Sequence, residues 1–308
     1  TIDEVNPGAA IHPRGADAAA GRVVLATGTV LGPHHLGIAA TVGARELVVS
    51  RKPRVVVLSS GDEVRPPEVP TRDLTPQQIR NSNGPMLVAM LRAMGAERVR
   101  HEHVVDKADA VRAACVSAAA DADLVVTAGG VSVGQRDLFP TMWPTLGYET
   151  VLHGVAMQPG KPVLVARKNV QASAKPQAAC VVGLPGNPVS VWATAHLFLW
   201  PMVLKMLGLG REISEGFGSS GGSGGGLPWR RVWLASPAKG NAKREAFRAA
   251  RLIGETREQV EVVAWQGSGD LMHTATADGL VRMPIHGSEL PAGSPITFLP
   301  ILGSGWGG

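Results

Sequence analysis

From residue 54 to about residue 208, short apolar runs alternate with longer amphipathic stretches. The runs are Val55–Ser59, Val99–Val105, Ala122–Thr127 and Ala178–Val182. This alternation is typical of buried parallel strands connected by helices on both faces of a sheet. We therefore expect an α/β fold here, with a hairpin-like pair of strands at Thr150–Met157 and Pro162–Ala166.

The amphipathic stretches of this region have helical spacing. The apolar face of the first is Met86, Leu87, Met90, Leu91 and Met94, and that of the second is Val111, Ala114, Cys115 and Ala118. We expect Asp106 to cap the second helix and Asn187 to cap a long helix from Pro188 to about Leu207, because short polar side chains bind the free N–H groups of a first turn. Pro140 predicts a short or irregular helix between them.

The two ends of the chain have a different pattern. The first fifty residues contain two strand candidates, Arg22–Ala26 and Glu46–Val49, around a short helix near His34–Val42. Short strand patterns follow residue 228 and predict a small β-barrel; they are Val260–Trp265, Gly279–Met283 and Pro295–Leu299. We expect four segments: an N-terminal segment (1–50), the α/β domain (51–208), a flexible Gly/Ser linker (209–227) and the barrel (228–303).

Charge and cysteine content narrow the class of protein. The formal net charge is +5, but the Lys and Arg residues are scattered and are not interleaved with aromatic residues, which argues against a nucleic-acid surface. An anionic small molecule explains the balance equally well. Cys115 and Cys180 lie in apolar settings, so we expect buried thiols, no disulfide and a reducing, cytoplasmic location.

The longest apolar run, Val189–Leu209, has the length of a membrane span. His196, Pro201 and Lys205 interrupt it. We therefore interpret it as a buried helix and expect no membrane association.

A glycine-rich loop is the sharpest chemical feature of the sequence. Gly129, Gly130, Ser132 and Gly134 follow a predicted buried strand, with Asp137 shortly after them. Glycines at a strand-to-helix junction allow backbone N–H groups to converge on an anion. The same pattern also occurs in a plain tight turn, so the loop alone does not decide the function.

Three further loops should open on the same edge of the sheet. They are Ser60-Gly61-Asp62-Glu63, whose adjacent carboxylates suit Mg²⁺, the turn Met157–Pro162, which presents Lys161, and the loop Gly183–Ser190. Ligands of open α/β sheets bind at the carboxyl ends of the strands. Four loops with Gly, carboxylate, Lys and Ser at one edge predict phosphate-ester chemistry.

Other catalytic motifs are weak or missing from the sequence. His101 and His103 have the spacing of one strand face, but a third metal ligand is not evident, and we interpret them as two surface histidines. The sequence contains no Walker-type Gly-Lys-Ser/Thr stretch, which argues against an ordinary nucleoside triphosphatase.

In their order, these loops resemble the MoeA family of molybdopterin molybdenumtransferases, which includes the gephyrin E domain. The resemblance covers about residues 15–302. The stretches that carry it are RKPRVVVLSSGDEV (51–64), DLVVTAGGVSVGQRD (123–137), MQPGKP (157–162), GLPGNPVS (183–190), EAFRAARL (245–252) and QGSGDL (266–271). It implies a three-layer α/β molybdopterin-binding domain, an N-terminal scaffold fragment in residues 1–50 and a small C-terminal β-barrel domain.

The resemblance also implies an activity. Molybdate would be inserted into adenylated molybdopterin with release of AMP, assisted by Mg²⁺, in a cytoplasmic homodimer that also meets other cofactor-assembly or target proteins. The implied catalytic residues are Asp62, Glu63, Asp137 and Lys161, and the first three would also hold the metal. The implied cofactor-binding residues are Gly129, Gly130, Ser132, Gly134, Asp106, Pro162, Gly186, Asn187, Ser190, Arg248 and Ser268.

The sequence departs from the family pattern in two ways. Gln158 stands where many relatives have Lys, which removes one positive charge from the implied molybdate site. A Met-Asp-Gly-Tyr-Ala-like motif of the family's N-terminal domain does not occur, so we expect the chain to lack part of that region. A non-catalytic molybdopterin-binding scaffold and a MogA-like adenylyltransferase therefore stay open as alternatives.

Overall fold

A computed structural model describes residue 8 and residues 11–130, 137–168, 179–209 and 227–302. The chain divides into two compact units, residues 1–49 and residues 50–308. Ser132 and Gly134 of the predicted glycine loop, and residues 210–226 of the predicted linker, lie outside the described residues.

The helices and strands have the following bounds. The helices are α1 (Pro33–Thr41), α2 (Asn83–Ala93), α3 (Ala108–Asp121), α4 (Leu138–Thr145), α5 (Pro188–Thr194) and α6 (Trp200–Met206), with a π-helical turn at Ala195–Leu199 and 3₁₀ turns at Thr71–Asp73 and Leu271–Thr276. The strands are β1 (Arg54–Ser60), β2 (Val64–Arg65), β3 (Ile79–Arg80), β4 (Arg98–Val104), β5 (Leu124–Ala128), β6 (Tyr148–His153), β7 (Met157–Gln158), β8 (Leu164–Lys168), β9 (Cys180–Leu184), β10 (Arg230–Leu234), β11 (Ala238–Lys239), β12 (Glu245–Ile253), β13 (Gln259–Val262), β14 (Gly279–Met283), β15 (Glu289–Leu290) and β16 (Pro295–Pro300).

The first unit contains the predicted short helix, α1, which buries only Ala39. The strands predicted at Arg22–Ala26 and Glu46–Val49 are wrong, because the described residues of this unit contain no strand. A short apolar run forms a stable strand only beside a paired neighbour. Within the unit these runs remain exposed, with Val23 and Val49 accessible over 75% and 64% of their surfaces.

The second unit contains the predicted α/β layer. Its sheet has six strands in the order β4-β1-β5-β9-β8-β6. The first four are parallel, whereas β8 is antiparallel to both β9 and β6 and forms the predicted hairpin-like pair with β6. Because β1, β5 and β9 are parallel, the loops that follow them open on one edge of the sheet.

Alternate strand residues supply two separate cores. Val55, Val57 and Val126 pack with Leu87 of α2 and Val191 of α5. One position along the strands, Val56, Leu58 and Val125 pack on the opposite face against α3 and α4. The helices contribute Val111, Cys115, Phe139 and Trp143 to this second core. Both cysteines are free thiols, as expected, but only Cys115 is buried, and Cys180 is partly exposed. The sheet is therefore covered by helices on both faces, as the three-layer prediction requires.

Two helix starts differ from the predicted caps. The N-cap of α3 is Lys107, so the cap predicted at Asp106 is wrong. The backbone N–H of Asp106 instead donates to Asp62 Oδ1 over 3.2 Å. Asn187 does occupy the N-cap position before Pro188, but its side-chain amide makes no capping bond and donates to Ser268.

The C-terminal strands close into a five-stranded barrel. The order β13-β10-β16-β14-β12 is completed by a second pairing of β13 with β12. The interior is apolar and includes Val232, Val260, Val281 and Phe298. Strand β7, from the α/β part of the chain, adds to β12 by parallel pairing, which joins the layer and the barrel.

The long helix begins at Pro188, as predicted, and continues through the π-helical turn to Met206. Its length and composition alone would allow it to cross a membrane, but 61% of its most apolar window is buried inside the protein. Val191, Leu199 and Val203 are fully buried. This burial is that of a core helix, in agreement with the sequence interpretation.

His196 lies in the π-helical turn and is 2% exposed. Its Nδ1 is 2.8 Å from the carbonyl oxygen of Trp192, whereas its Nε2 has no hydrogen-bond partner within the described structure. The rings of Trp192 and Trp200 pack on either side, with centroid distances of 5.3 and 6.1 Å. Burial lowers the pKa of His196 from 6.5 to about 4, because the charged ring would lose its hydration.

The free energy of unfolding should therefore depend on pH through His196. Between pH 6.5 and about 4 the unfolded chain binds a proton that the folded chain does not, so stability falls as the pH falls. The contribution to the slope is about 1.4 kcal/mol per pH unit. Urea unfolding of His196→Leu across this range should show a slope smaller by that amount, whereas His34→Gln, at an exposed histidine, should keep the original slope.

Candidate functional site

A cavity with a volume of about 580 Å³ lies where the α/β layer meets the barrel. Four segments of the chain form it: the turn at β7, the loop between β9 and α5, and two barrel loops. The lining residues are Met157, Gln158, Pro159, Gly160, Lys161, Pro162, Pro185, Gly186, Asn187, Ser190, Arg244, Trp265, Gly267 and Ser268. Six of the predicted site residues are among them: Lys161, Pro162, Gly186, Asn187, Ser190 and Ser268.

The turn at Met157–Pro162 holds Lys161 at the cavity. Strand β7 pairs with β12, and the peptide bond before Pro159 is cis. Gly160 has φ +105°, and a Cβ there would lie 2.4 Å from Thr194 Cγ2 of α5. The turn thus requires glycine at position 160 both for its backbone conformation and for its contact with the helix. This packing fixes the direction in which the exposed Lys161 leaves the chain.

The start of α5 is bound directly to the barrel. Asn187 Nδ2 donates to Ser268 Oγ over 2.8 Å, and the N–H of Val189 donates to the carbonyl oxygen of Ser268 over 3.1 Å. On the other side, Asn83 Nδ2 at the start of α2 donates to the carbonyl oxygen of Gly186 over 2.7 Å. The loop is therefore held from both sides by side-chain amides.

The glycines after β5 lie against the loops that follow β1 and β9. Gly129 and Gly130 have φ +84° and +61°, and a Cβ on Gly129 would lie 3.1 Å from the carbonyl oxygen of Ser60. A Cβ on Gly186 would lie 3.6 Å from the Cα of Gly129. The three loops thus approach one another through their backbones, which brings the predicted glycine loop to the neighbourhood of the cavity.

The predicted metal-binding carboxylates do not form a three-ligand group. Among the described residues, no set of three His, Cys, Asp or Glu side chains is placed to hold a metal ion. Asp62 and Glu63 are exposed after β1, and Asp62 is engaged by the N–H of Asp106. Asp137 lies apart from them in the chain, as the N-cap of α4. The set Asp62, Glu63 and Asp137 is thus not assembled as a metal site.

Arg248 does not line the cavity, although the resemblance implied that it binds the cofactor. Its guanidinium carbon lies 4.7 Å from the ring centroid of Trp265, over the indole. The side chain is half-buried on β12, and this burial lowers the pKa of Arg248. Arg248 therefore reaches the cavity only through Trp265.

Sequence reasoning did not single out Arg244 and Trp265, which both line the cavity. Arg244 immediately precedes β12, and its backbone N–H donates to Asn241 Oδ1 over 3.0 Å. Asn241 Nδ2 in turn donates to Gln158 Oε1. The amide of Gln158 is therefore hydrogen-bonded to the segment that carries Arg244. The cation Arg244, from the barrel, and the neutral Gln158 both line the cavity. One sequence feature could have identified them: Arg244 immediately precedes the stretch EAFRAARL (245–252), and Trp265 immediately precedes QGSGDL (266–271).

His101 and His103 both bond to a buried serine. Ser59 Oγ lies 2.8 Å from His101 Nε2 and 3.1 Å from His103 Nδ1, and it accepts a hydrogen bond from Asn81 Nδ2 over 3.1 Å. Burial, and then the neighbouring His103, lower the pKa of His101. The interpretation as surface histidines is wrong, because both rings are half-buried in a network at the start of α2, where Asn81 Oδ1 also accepts the N–H of Gly84.

Comparison with known proteins identifies relatives of both parts of the second unit, the α/β layer and the barrel. Residues 56–205 match the family described as probable molybdopterin binding domain, and residues 231–301 match the MoeA C-terminal region (domain IV). Over 298 residues the chain is 32% identical to Molybdopterin molybdenumtransferase 2 of Mycobacterium tuberculosis, an alignment that covers 95% of this chain and 67% of that protein. The chain belongs to the MoeA family of molybdopterin molybdenumtransferases.

Two further MoeA relatives agree. The Molybdopterin molybdenumtransferase of a Nostoc species is 29% identical over 297 residues, which cover 96% of this chain and 64% of that protein. The crystal structure of a molybdopterin biosynthesis MoeA protein from Pyrococcus horikoshii has a TM-score of 0.72 and 28% identity, covering 93% of this chain and 64% of that one. The chain thus spans about two thirds of the length of these MoeA proteins. The predicted fold class, including the C-terminal barrel, is confirmed.

The glycine at the centre of the Lys161 turn should be needed for the shape of the MoeA cavity. We expect Gly160→Ala to lower the free energy of unfolding by about 2 kcal/mol or more, because Ala is strained at this φ and its Cβ would meet Thr194. Gly154→Ala is the matched control: its φ is +89°, but its Cβ would have an ordinary contact of 3.8 Å. Urea unfolding of both variants measures the difference, and equal losses would show that the contact with α5 is unimportant.

Proposed function

We propose that this chain carries the metal-insertion site of a molybdopterin molybdenumtransferase. Molybdate would enter the dithiolene of adenylated molybdopterin, and cleavage of the pyrophosphate link would release AMP and the molybdenum cofactor. The observation that carries the proposal is that Lys161, the start of α5 and the barrel residues Arg244 and Ser268 line one cavity. The names of the related proteins support it.

The chemistry of the cavity suits an oxyanion. Lys161 and Arg244 supply two cations, and an oxyanion is bound most strongly by such charged donors. Asn187, Ser190 and Ser268 add amide and hydroxyl groups, and the bonds among these loops hold the groups in place before a ligand arrives. Molybdate and the phosphate groups of an adenylated pterin both fit this donor set.

The phosphates of the nucleotide would lie along the neighbouring loop. Gly130 has a positive φ, which suits a loop whose backbone N–H groups face an anion, whereas the N–H of Gly129 donates to the carbonyl oxygens of Leu184 and Pro185. Ser132 and Gly134 continue the same motif in the sequence. Mg²⁺ is commonly held by one or two carboxylates together with substrate phosphates. The exposed Asp62 and Glu63 supply two such carboxylates without a third protein ligand, and Asp137 would then face the nucleotide.

The homodimer and the cytoplasmic location are proposed on the basis of the family resemblance. Contacts with other cofactor-assembly or target proteins belong to the same proposal, and so does the absence of a nucleic-acid or membrane partner.

The direct test is turnover. Purified protein is incubated with adenylated molybdopterin, molybdate and Mg²⁺, and AMP is measured by chromatography. We expect AMP release that depends on molybdate and is lost in Lys161→Met, because the variant removes a cavity cation and keeps the length of the side chain. Bound substrate without AMP release would contradict the proposal.

The second candidate function is binding of molybdopterin without metal insertion. One observation favours it: Gln158 is neutral, and its Oε1 is bonded to Asn241, so this cavity position has no charge. Substrate binding without turnover is the result that would select it. A MogA-like adenylyltransferase is less well supported, because four barrel residues, Arg244, Trp265, Gly267 and Ser268, form part of the cavity.

Arg244 should contribute directly to oxyanion affinity. We expect Arg244→Gln to weaken molybdate binding by about tenfold or more, because a hydrogen bond to a charged group contributes about 1.5–3 kcal/mol. Arg251→Gln is the control, since Arg251 lies on the barrel surface and pairs with Glu261 over 2.7 Å. Isothermal titration calorimetry at one fixed salt concentration gives both affinities. Equal affinities for the two variants would remove Arg244 from the site.

A further inference from the structure

The proposed function accounts for the polar side chains of the cavity but leaves Trp265 without a role. Of the described residues that line the cavity, Trp265 is the one aromatic residue. It is half-buried, between the end of β13 and the loop that carries Ser268. A large flat apolar surface therefore lies beside two cations.

The indole is supported from behind. The Arg248 guanidinium lies over one of its faces at 4.7 Å, and Arg248 projects from the middle of β12, which is paired with both β13 and β14. The ring of His273 approaches with a centroid distance of 6.0 Å, and the His273 side chain is 5% exposed. The guanidinium covers one face of the indole, and Trp265 also lines the cavity.

The loop after Trp265 is equally well fixed. The N–H of Gln266 donates to Asp270 Oδ2 over 3.1 Å. Ser268 receives hydrogen bonds from Asn187 and Val189 of the opposite wall. A ligand that contacts Trp265 thus meets a surface that is already ordered, and little conformational entropy is lost on binding.

We propose that Trp265 stacks against the flat heteroaromatic ring of the ligand, and that Arg248 is a positioning residue that holds the indole for this contact. This inference rests on the proposed function and adds the position of the ring. The anionic part of the ligand lies on Lys161 and Arg244, and the ring lies on Trp265. Two rings have the required chemistry, the pterin and the adenine of the adenylated substrate, because both present an aromatic face.

Calorimetric titrations of the full chain test the stacking. The probes are AMP, a phosphorylated pterin and pyrophosphate, which is an anion without a ring. The variants are Trp265→Leu, which keeps an apolar side chain without a π-face, and Trp265→Phe, which keeps the aromatic face. Trp233→Leu is the control, because Trp233 is an exposed barrel residue that does not line this cavity.

We expect Trp265→Leu to weaken binding of at least one ring-bearing probe by about fivefold to a hundredfold, the usual effect of removing a stacking aromatic residue. Pyrophosphate affinity should change by less than about twofold, since the anion contacts are kept. Trp265→Phe should retain most of the affinity. The ring-bearing probe that responds identifies the stacked ring as pterin or adenine.

Arg248 is tested with the same probes. Arg248→Gln should weaken ring binding by about threefold or more, and Arg248→Lys should restore it, because either cation interacts with the indole face. Pyrophosphate binding should again be unaffected in both variants. A merely structural role would weaken all three probes together.

The inference is overturned if the wild-type chain binds neither ring-bearing probe, if Trp265→Leu binds both like wild type, or if it loses pyrophosphate to the same extent. These outcomes differ from failure of the proposed function, which appears as bound substrate without AMP release. A chain that binds the ring through Trp265 but releases no AMP would keep the stacking contact and lose the transferase activity.

Discussion

The structure of the site depends on one short pairing, that of β7 with the first residues of β12. Met157 and Gln158 leave the α/β layer and pair in parallel with Glu245 and Ala246 of the barrel. The cavity lies at this junction, with one wall from each part. The pairing is reinforced by the bond from Asn241 to Gln158 and by apolar packing, since Phe247 and Leu280 of the barrel share a core with α2 and α5.

The residue pattern predicts the buried strands of the α/β layer correctly and the strands of the first unit wrongly. The sequence predicts strands at Val55–Ser59 and Ala122–Thr127 because burial on both faces leaves a continuous apolar run. The glycine, lysine and serine loops are predicted from their positions beside such strands. Arg22–Ala26 has a similar local pattern but lacks a neighbour to pair with in its unit. Residue pattern alone does not reveal pairing.

The sequence does not identify two residues of the site for the same reason: their positions depend on packing between distant segments of the chain. Arg244 and Trp265 have no motif around them that signals a ligand, and they line the cavity only because the barrel closes against the layer. Conversely, the family resemblance implies that Arg248 binds the ligand, yet its guanidinium lies over the ring of Trp265. Long-range placement of this kind is a property of the folded chain and is absent from local spacing.

The hydrogen bonds of Ser59 restrict which ring nitrogens of His101 and His103 can carry a hydrogen. A serine hydroxyl has one hydrogen and two lone pairs, and the Asn81 amide occupies one of those lone pairs. Of the two imidazole nitrogens beside it, one must therefore accept the hydroxyl hydrogen while the other donates to the remaining lone pair. The hydrogen positions of the two rings are thus coupled: when one of these two ring nitrogens carries a hydrogen, the other has to be the acceptor.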